Sequence, residues 1–393
     1  MVSAMKKRID QQGVKKTIAG ILSALALLIV SLMAGSSVWA GSKTGADFLK
    51  IPIGARAVSL GQATTALASG VEAMNWNPAG IAHSLGNRQI SLWTIGLSHQ
   101  VLFEGNNLDN VNLVKPVFGL LKGMSIGFSA TRLSYPDQDR RNANREKTGS
   151  FGASDMAVGG ALAATIGHIQ CGTHVKLIQQ KLESQSATGV ALDLGILSAT
   201  PLSKLTVGGS IQNLGNKMKF LEEEYNLPLT LSVGAAYQVM KPFSIAVDMH
   251  ARPYQDQIIF SVGSEFLPVS NVSMRAGYLA RLAESVANNQ KAETARGNFI
   301  GINGIAMGLG VKIGELHLDY ALSPFGELGN TQTVSLTTSF GGTNETKKLP
   351  LPNVEEKQPA KDKPAAPVIE TPTDTNVQFN IPNQNEPWWT SDR

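Results

Sequence analysis

The chain of 393 residues holds one cysteine, Cys171, so neither an internal disulfide nor a cysteine-based zinc cluster can hold its fold. Charged residues are scarce at 16% and aromatics scarcer at 6%, while 42% of the chain is hydrophobic, a balance that excludes wholesale disorder. Past residue 34 no apolar run approaches the roughly 20 residues of a transmembrane helix, so any further membrane insertion must use strands. A net charge is also missing beyond the N-terminus. Residues 1–40 carry five of the 34 basic and one of the 30 acidic residues, leaving 29 of each. The sequence pI near 9.0 therefore carries no information about partners, and no nucleic acid is expected among them.

What is present begins with an address. Lys6, Lys7, Arg8, Lys15 and Lys16 precede the uncharged run Ile18 to Ala34, and Val38-Trp39-Ala40 offers small residues for cleavage. Residues 1–40 read as a secretory signal peptide, with an uncleaved anchor helix as the competing reading.

From Arg88 to Phe340 apolar residues recur with period two. Met124, Ile126 and Phe128 alternate with Ser125, Gly127 and Ser129; Ile305, Met307 and Leu309 alternate with Ala306, Gly308 and Gly310. Such segments number about fourteen, beginning near Gln89, Val111, Met124, Asp155, Thr173, Gly189, Leu205, Leu229, Phe243, Gln257, Val272, Ile305, Glu315 and Thr331. A phase slip between Ile90 and Leu97 suggests a bulge. Links after the even strands are brief, whereas Tyr135 to Ser154, Asn213 to Pro228 and Leu279 to Asn298 are long and polar. Short turns on one rim and long loops on the other describe a fourteen-stranded, antiparallel outer-membrane β-barrel, an all-β fold. A soluble propeller or sandwich would also alternate, but it would not pair bulky apolar faces with faces of Gly, Ala, Ser and Thr.

Residues 41–87 do not alternate. Ala55 to Leu60 and Thr64 to Ala68 read as short helices broken by Gly54, Gly61 and Gly70, and Asn77-Pro78 as a capped helix start. Such a segment has no core of its own, and folding into the lumen would bury Phe48, Leu49, Ile51, Ile53, Trp76 and Ile81. It is expected to be an N-terminal hatch. The runs Gly45-Ala46-Asp47-Phe48-Leu49-Lys50-Ile51, Gly54-Ala55-Arg56-Ala57, Gly61 and Trp76-Asn77-Pro78-Ala79-Gly80-Ile81-Ala82 resemble the N-terminal signature of the PorV/PorQ family, and Leu318 to Asn330 resembles its penultimate strand and loop. That family is similar to the FadL-like long-chain fatty acid transporters, which are fourteen-stranded barrels with a hatch. The resemblance implies a structural role for Gly54, Arg56, Gly61, Trp76, Asn77, Pro78 and Gly80. Phe340 resembles the terminal aromatic read by barrel-insertion machinery.

Residues 341–393 hold eight of the 18 prolines but two of the 39 glycines, and read as an extended, disordered periplasmic tail. Trp388 and Trp389 are its one adhesive feature and could meet a periplasmic partner.

Arg132, Asp193, Asp248, Glu265, Arg275, Lys312 and Asp319 are expected on the polar face, either steering a solute or, since both signs are present, fixing the hatch by ion pairs. His317 with Asp319 and His250 with Asp248 lack a third ligand or a nucleophile motif, so neither catalysis, a metal site nor a cofactor is expected. Gly54 to Gly61 lacks the strand and Lys-Ser/Thr of a phosphate loop, Glu222 to Glu224 is a solvated charge run, and Cys171 is placed in a short periplasmic turn. The chain thus reads as a non-enzymatic protein of a diderm outer membrane, in contact with its lipid. The PorV/PorQ resemblance implies an accessory of type IX-like secretion that meets a translocon and the C-terminal domains of cargo. The alternatives are a FadL-like channel for hydrophobic molecules and a structural envelope barrel.

Overall fold

The computed structural model describes residues 44–82, 93–117, 123–202, 204–255, 257–282, 304–324 and 329–341. The signal peptide, the tail with Trp388 and Trp389, and the bulge sought near Ile90 lie outside them. Eighteen strands follow one another in the chain: β1 (Trp93–Val101), β2 (Asn107–Val117), β3 (Met124–Ser134), β4 (Gln138–Arg141), β5 (Lys147–Phe151), β6 (Ala153–Ile166), β7 (Ile169–Leu182), β8 (Gln185–Ala199), β9 (Leu205–Gly215), β10 (Met218–Phe220), β11 (Glu223–Tyr225), β12 (Thr230–Met240), β13 (Phe243–Arg252), β14 (Gln257–Val269), β15 (Val272–Leu282), β16 (Ile305–Ile313), β17 (Leu316–Pro324) and β18 (Asn330–Phe340). Fourteen of them close an antiparallel barrel. β4–β5 and β10–β11 are separate hairpins within connections expected from the sequence to be loops.

Closure leaves no free edge: β1 pairs with β18 from Trp93↔Phe340 to Val101↔Gln332. The two faces differ as the alternation requires. Leu97, Phe128, Leu177, Val247, Met307 and Leu309 are exposed on the outside, the surface that a membrane barrel turns to lipid. At the rim of short turns the outward aromatics pair across strands, Trp93 with Phe340 and Phe243 with Phe266, as an interfacial girdle does. Inside, small residues such as Gly127, Gly172, Gly195, Gly208, Gly263 and Gly277 face residues 44–82.

That inner segment is built of single turns. Helix α1 (Ala55–Ser59) is its one α-helix, and 3-10 turns cover Asp47–Lys50, Val71–Asn75 and Pro78–Ile81. Thr64 to Ala68, read from the sequence as a helix, is instead a turn, held to the wall where the Thr65 amide donates to the Asp248 carboxylate of β13 at 2.7 Å. Apolar contacts ring the wall. Phe48 packs near Leu108 and Leu133, Met74 and Ile81 beside Val114 and Ala161, Ala63 and Ala66 beside Ala236 and Ala246, and Val58 beside Ala321.

Backbone meets backbone at several points. Gly61 has φ 61° and a Cβ there would lie 2.7 Å from the Tyr278 nitrogen, while a Cβ on Gly277 would run into the Leu60–Gly61 peptide. Side chains on either partner would hold the inner segment away from the wall, so glycine is required on both.

Candidate functional site

Two features make the site: a polar clamp between the inner segment and the wall, and a cavity above it. Arg56 of α1 forks onto Glu265 of β14, with Nε to Oε1 and Nη2 to Oε2 both at 3.1 Å. Arg275 of β15 donates from Nε to the same Glu265 Oε1 at 2.7 Å and from Nη1 to Asp319 Oδ1 of β17 at 2.5 Å. Two guanidinium groups thus balance two carboxylates inside the barrel, and each charge is hydrogen-bonded. Glu72 is the odd carboxyl. It lies over Gly54, whose Cβ, if present, would be 2.9 Å from the Glu72 carboxyl carbon. Loss of hydration, reinforced by the charge of Asp319, pushes the Glu72 carboxyl up to about 7.

The other hatch residues hold the segment's shape. The Trp76 indole donates to the Ile53 carbonyl at 2.9 Å. Asn77, fully buried, donates to the carbonyls of Thr65 and of wall residue Ile196, both at 2.9 Å, and accepts from the Ala79 amide at 3.2 Å. Pro78 follows as the first helical residue and lies against Gly172, and Gly80 leaves room for the Ala68 carbonyl.

Of the seven charges expected on the polar face, Glu265, Arg275 and Asp319 come together in the clamp, and Asp248 holds Thr65. Lys312 points inward on β16, opposite His317 of β17, its backbone nitrogen donating to the Asn271 carbonyl. Arg132 does not belong with them. It is exposed on the outer face of β3, opposite outward-facing Asp109 of β2, because it shares the parity of Met124, Ile126 and Phe128. Cys171 also moves: the turn is only Gly167-His168, and Cys171 is a free thiol within β7.

Asp193 belongs to a cluster that no spacing in the sequence reveals. Ser129 Oγ lies 2.8 Å from His174 Nε2, and His174 Nδ1 lies 3.4 Å from Asp193 Oδ2, an imidazole spanning β6 over Gly159. The order of groups resembles a hydrolytic triad, but Asp193 is already held by Lys176 at 2.8 Å and by the Asn213 amide at 2.7 Å. The adjoining pocket offers only about 40 Å³, space for water but not for a substrate. These residues are a buried hydrogen-bond network.

The cavity is of a different scale. About 670 Å³ opens toward the rim of long connections, floored by the inner segment, within the range of small-molecule sites. Phe48, Ile51, Leu102, Leu133, Ile259 and Leu279 give it an apolar lining. Gln62, Gln100, Tyr135, Arg252 and Arg281 are polar exceptions set around it.

The solved structures to which the chain is similar include proteins described as channels and transporters. The chain is similar to the Pseudomonas putida toluene transporter TodX, at 10% identity over 72% of this chain and 96% of that one, with a TM-score of 0.48. It is also similar to a Pseudomonas aeruginosa FadL homologue, at 11% identity over 76% and 99% with a TM-score of 0.47, and to the CymD monoaromatic hydrocarbon channel, at 12% over 73% and 97% with 0.49. No protein-family model matches the chain, and no curated protein matches it in sequence. The PorV/PorQ resemblance thus gains no support from these comparisons, and what the site can do must be argued from its own geometry.

Phe48, Gly61 and Gln62 of the inner segment line the cavity, and at Gly61 that segment meets the wall backbone to backbone. Phe48 lines both the large cavity and the small pocket around His174, so it separates the two.

Proposed function

We propose that this chain is a FadL-like outer-membrane channel that takes up hydrophobic or amphipathic small molecules, the outer cavity being their first station. The observation that carries the reading is an apolar cavity of about 670 Å³ that opens at the long-loop rim and ends on a hatch. A solute leaving water there gains roughly 25 cal/mol for each Å² of apolar surface buried, and it can proceed only when the hatch shifts. Replacing Leu133 by Trp would fill the cavity from the wall. In reconstituted vesicles or in cells lacking other hydrophobic channels, the native chain should speed uptake of a labelled apolar probe such as dodecanol, and Leu133→Trp should abolish the gain. Uptake independent of the protein would refute the reading.

The secretion role keeps one supporting observation: β6, β7 and β8 run to 14 or 15 residues, against 9 to 13 in the other barrel strands, and with the β4–β5 hairpin they form an outer platform. Affinity capture of the tagged chain from solubilised outer membranes tests it. A giant translocon barrel together with secreted proteins sharing a C-terminal domain would favour secretion over uptake.

A further inference from the structure

The charges on the outer cavity do not balance. Asp47 and Lys50 pair with each other at 2.8 Å, which leaves Arg252 and Arg281 as a net charge of two with no carboxylate within ion-pair distance of either among the described residues. Arg252 donates from Nη1 to Gln257 Oε1 at 3.2 Å, while its Nε is buried without a partner. The two arginines stand on β13 and β15, on either side of β14, where Ile259 is directly opposite Arg281. All three residues line the same cavity.

Two guanidinium groups beside an apolar wall repel one another and want hydrogen-bond acceptors, a need that a neutral hydrocarbon does not meet and a singly charged head meets only by half. We propose that the outer cavity is a site for amphiphiles with a doubly charged anionic head, in chemical terms a phosphate monoester of an alkyl or aryl alcohol. The head lies between Arg252 and Arg281, each offering its planar fork of donors, and the apolar body lies against Phe48, Ile51, Leu133, Ile259 and Leu279. This rests on the uptake reading of the cavity and adds the class of molecule.

The test uses the full chain in lipid nanodiscs and three probes of one tail length: dodecyl phosphate, dodecanesulfonate and dodecanol, with binding read by calorimetry. At about pH 8 the phosphate should bind the native chain about tenfold or more tighter than the sulfonate, as expected of a second charge-assisted contact. Arg252→Gln and Arg281→Gln should each bring the phosphate down to the sulfonate and leave dodecanol unmoved. The native chain supplies a second readout that no variant can spoil. At about pH 5.5 the phosphate keeps a single charge and its advantage should shrink, since its second ionisation lies near 6. The sulfonate, charged at both pH values, corrects for any change in the protein itself between them. Equal binding of phosphate and sulfonate at the higher pH, or an advantage that survives at the lower one, overturns the inference while leaving uptake of apolar molecules standing. Failure of all three probes to bind overturns the uptake reading and this inference with it.

Discussion

Removing the Arg56 guanidinium should loosen the inner segment without unfolding the barrel. Arg56 supplies two charge-assisted hydrogen bonds to Glu265, which is buried, and a third at 3.3 Å to the Leu67 carbonyl. Breaking a buried ion pair from one side costs about 3–5 kcal/mol. The lower end applies here, because the Arg56 side chain is 22% exposed and Glu265 keeps Arg275. A loss of about 3 kcal/mol shifts a docking equilibrium by roughly two powers of ten. Hydrogen exchange of the full chain in detergent reads that equilibrium directly. In Arg56→Ala, peptides from residues 44–82 should exchange about a hundredfold faster while strand peptides keep their protection, and Arg56→Lys should fall between. Unchanged protection of the inner segment in Arg56→Ala would refute the claim that this clamp holds it.

Three further outcomes follow from the same contacts. Glu72 has its carboxyl raised above the ordinary value, so the docked state binds more protons than the free one; docking is favoured at low pH and weakens as pH rises from about 4.5 to about 7, and Glu72→Gln should erase that dependence in exchange rates measured across the window. Gly277→Ala should loosen the inner segment and leave the heat-modifiable barrel band on gels intact, since its new Cβ meets the Leu60–Gly61 peptide and not another strand. Arg132→Ala, exposed on the outside, should change neither stability, by more than about 0.5 kcal/mol, nor exchange of residues 44–82.

The wall was legible because its period is two and each face is chemically uniform. Strands expected at Met124, Leu205, Phe243, Gln257, Val272 and Ile305 begin there. β6, β7 and β8 begin two to four residues before the expected Asp155, Thr173 and Gly189, because their ends stand beyond the apolar band and show no contrast between faces. The hairpin β4–β5 shows no such contrast because it is polar on both sides, and β10–β11 because its strands are three residues each, too short to display a period. Arg132 was misplaced because its charge was weighed above its parity. The site was less legible than the wall. Asn77 and Pro78 announce a local cap, but the partner of Arg56 lies 209 positions away and the cavity gathers its lining from strands scattered through the chain. No local pattern encodes which inward faces meet.

The Ala55 amide donates to Ser335 Oγ of β18, and the two residues are 280 positions apart. The segment made first therefore cannot complete its contacts until the strand made last has arrived, and the entropy of so long a closure must be met before those contacts can repay it. Docking of the inner segment can therefore be completed only once β18 has been added at the β1–β18 seam. A chain stalled short of β18 would leave an open sheet with its N-terminal segment loose, so a seated inner segment reports that the barrel has been finished.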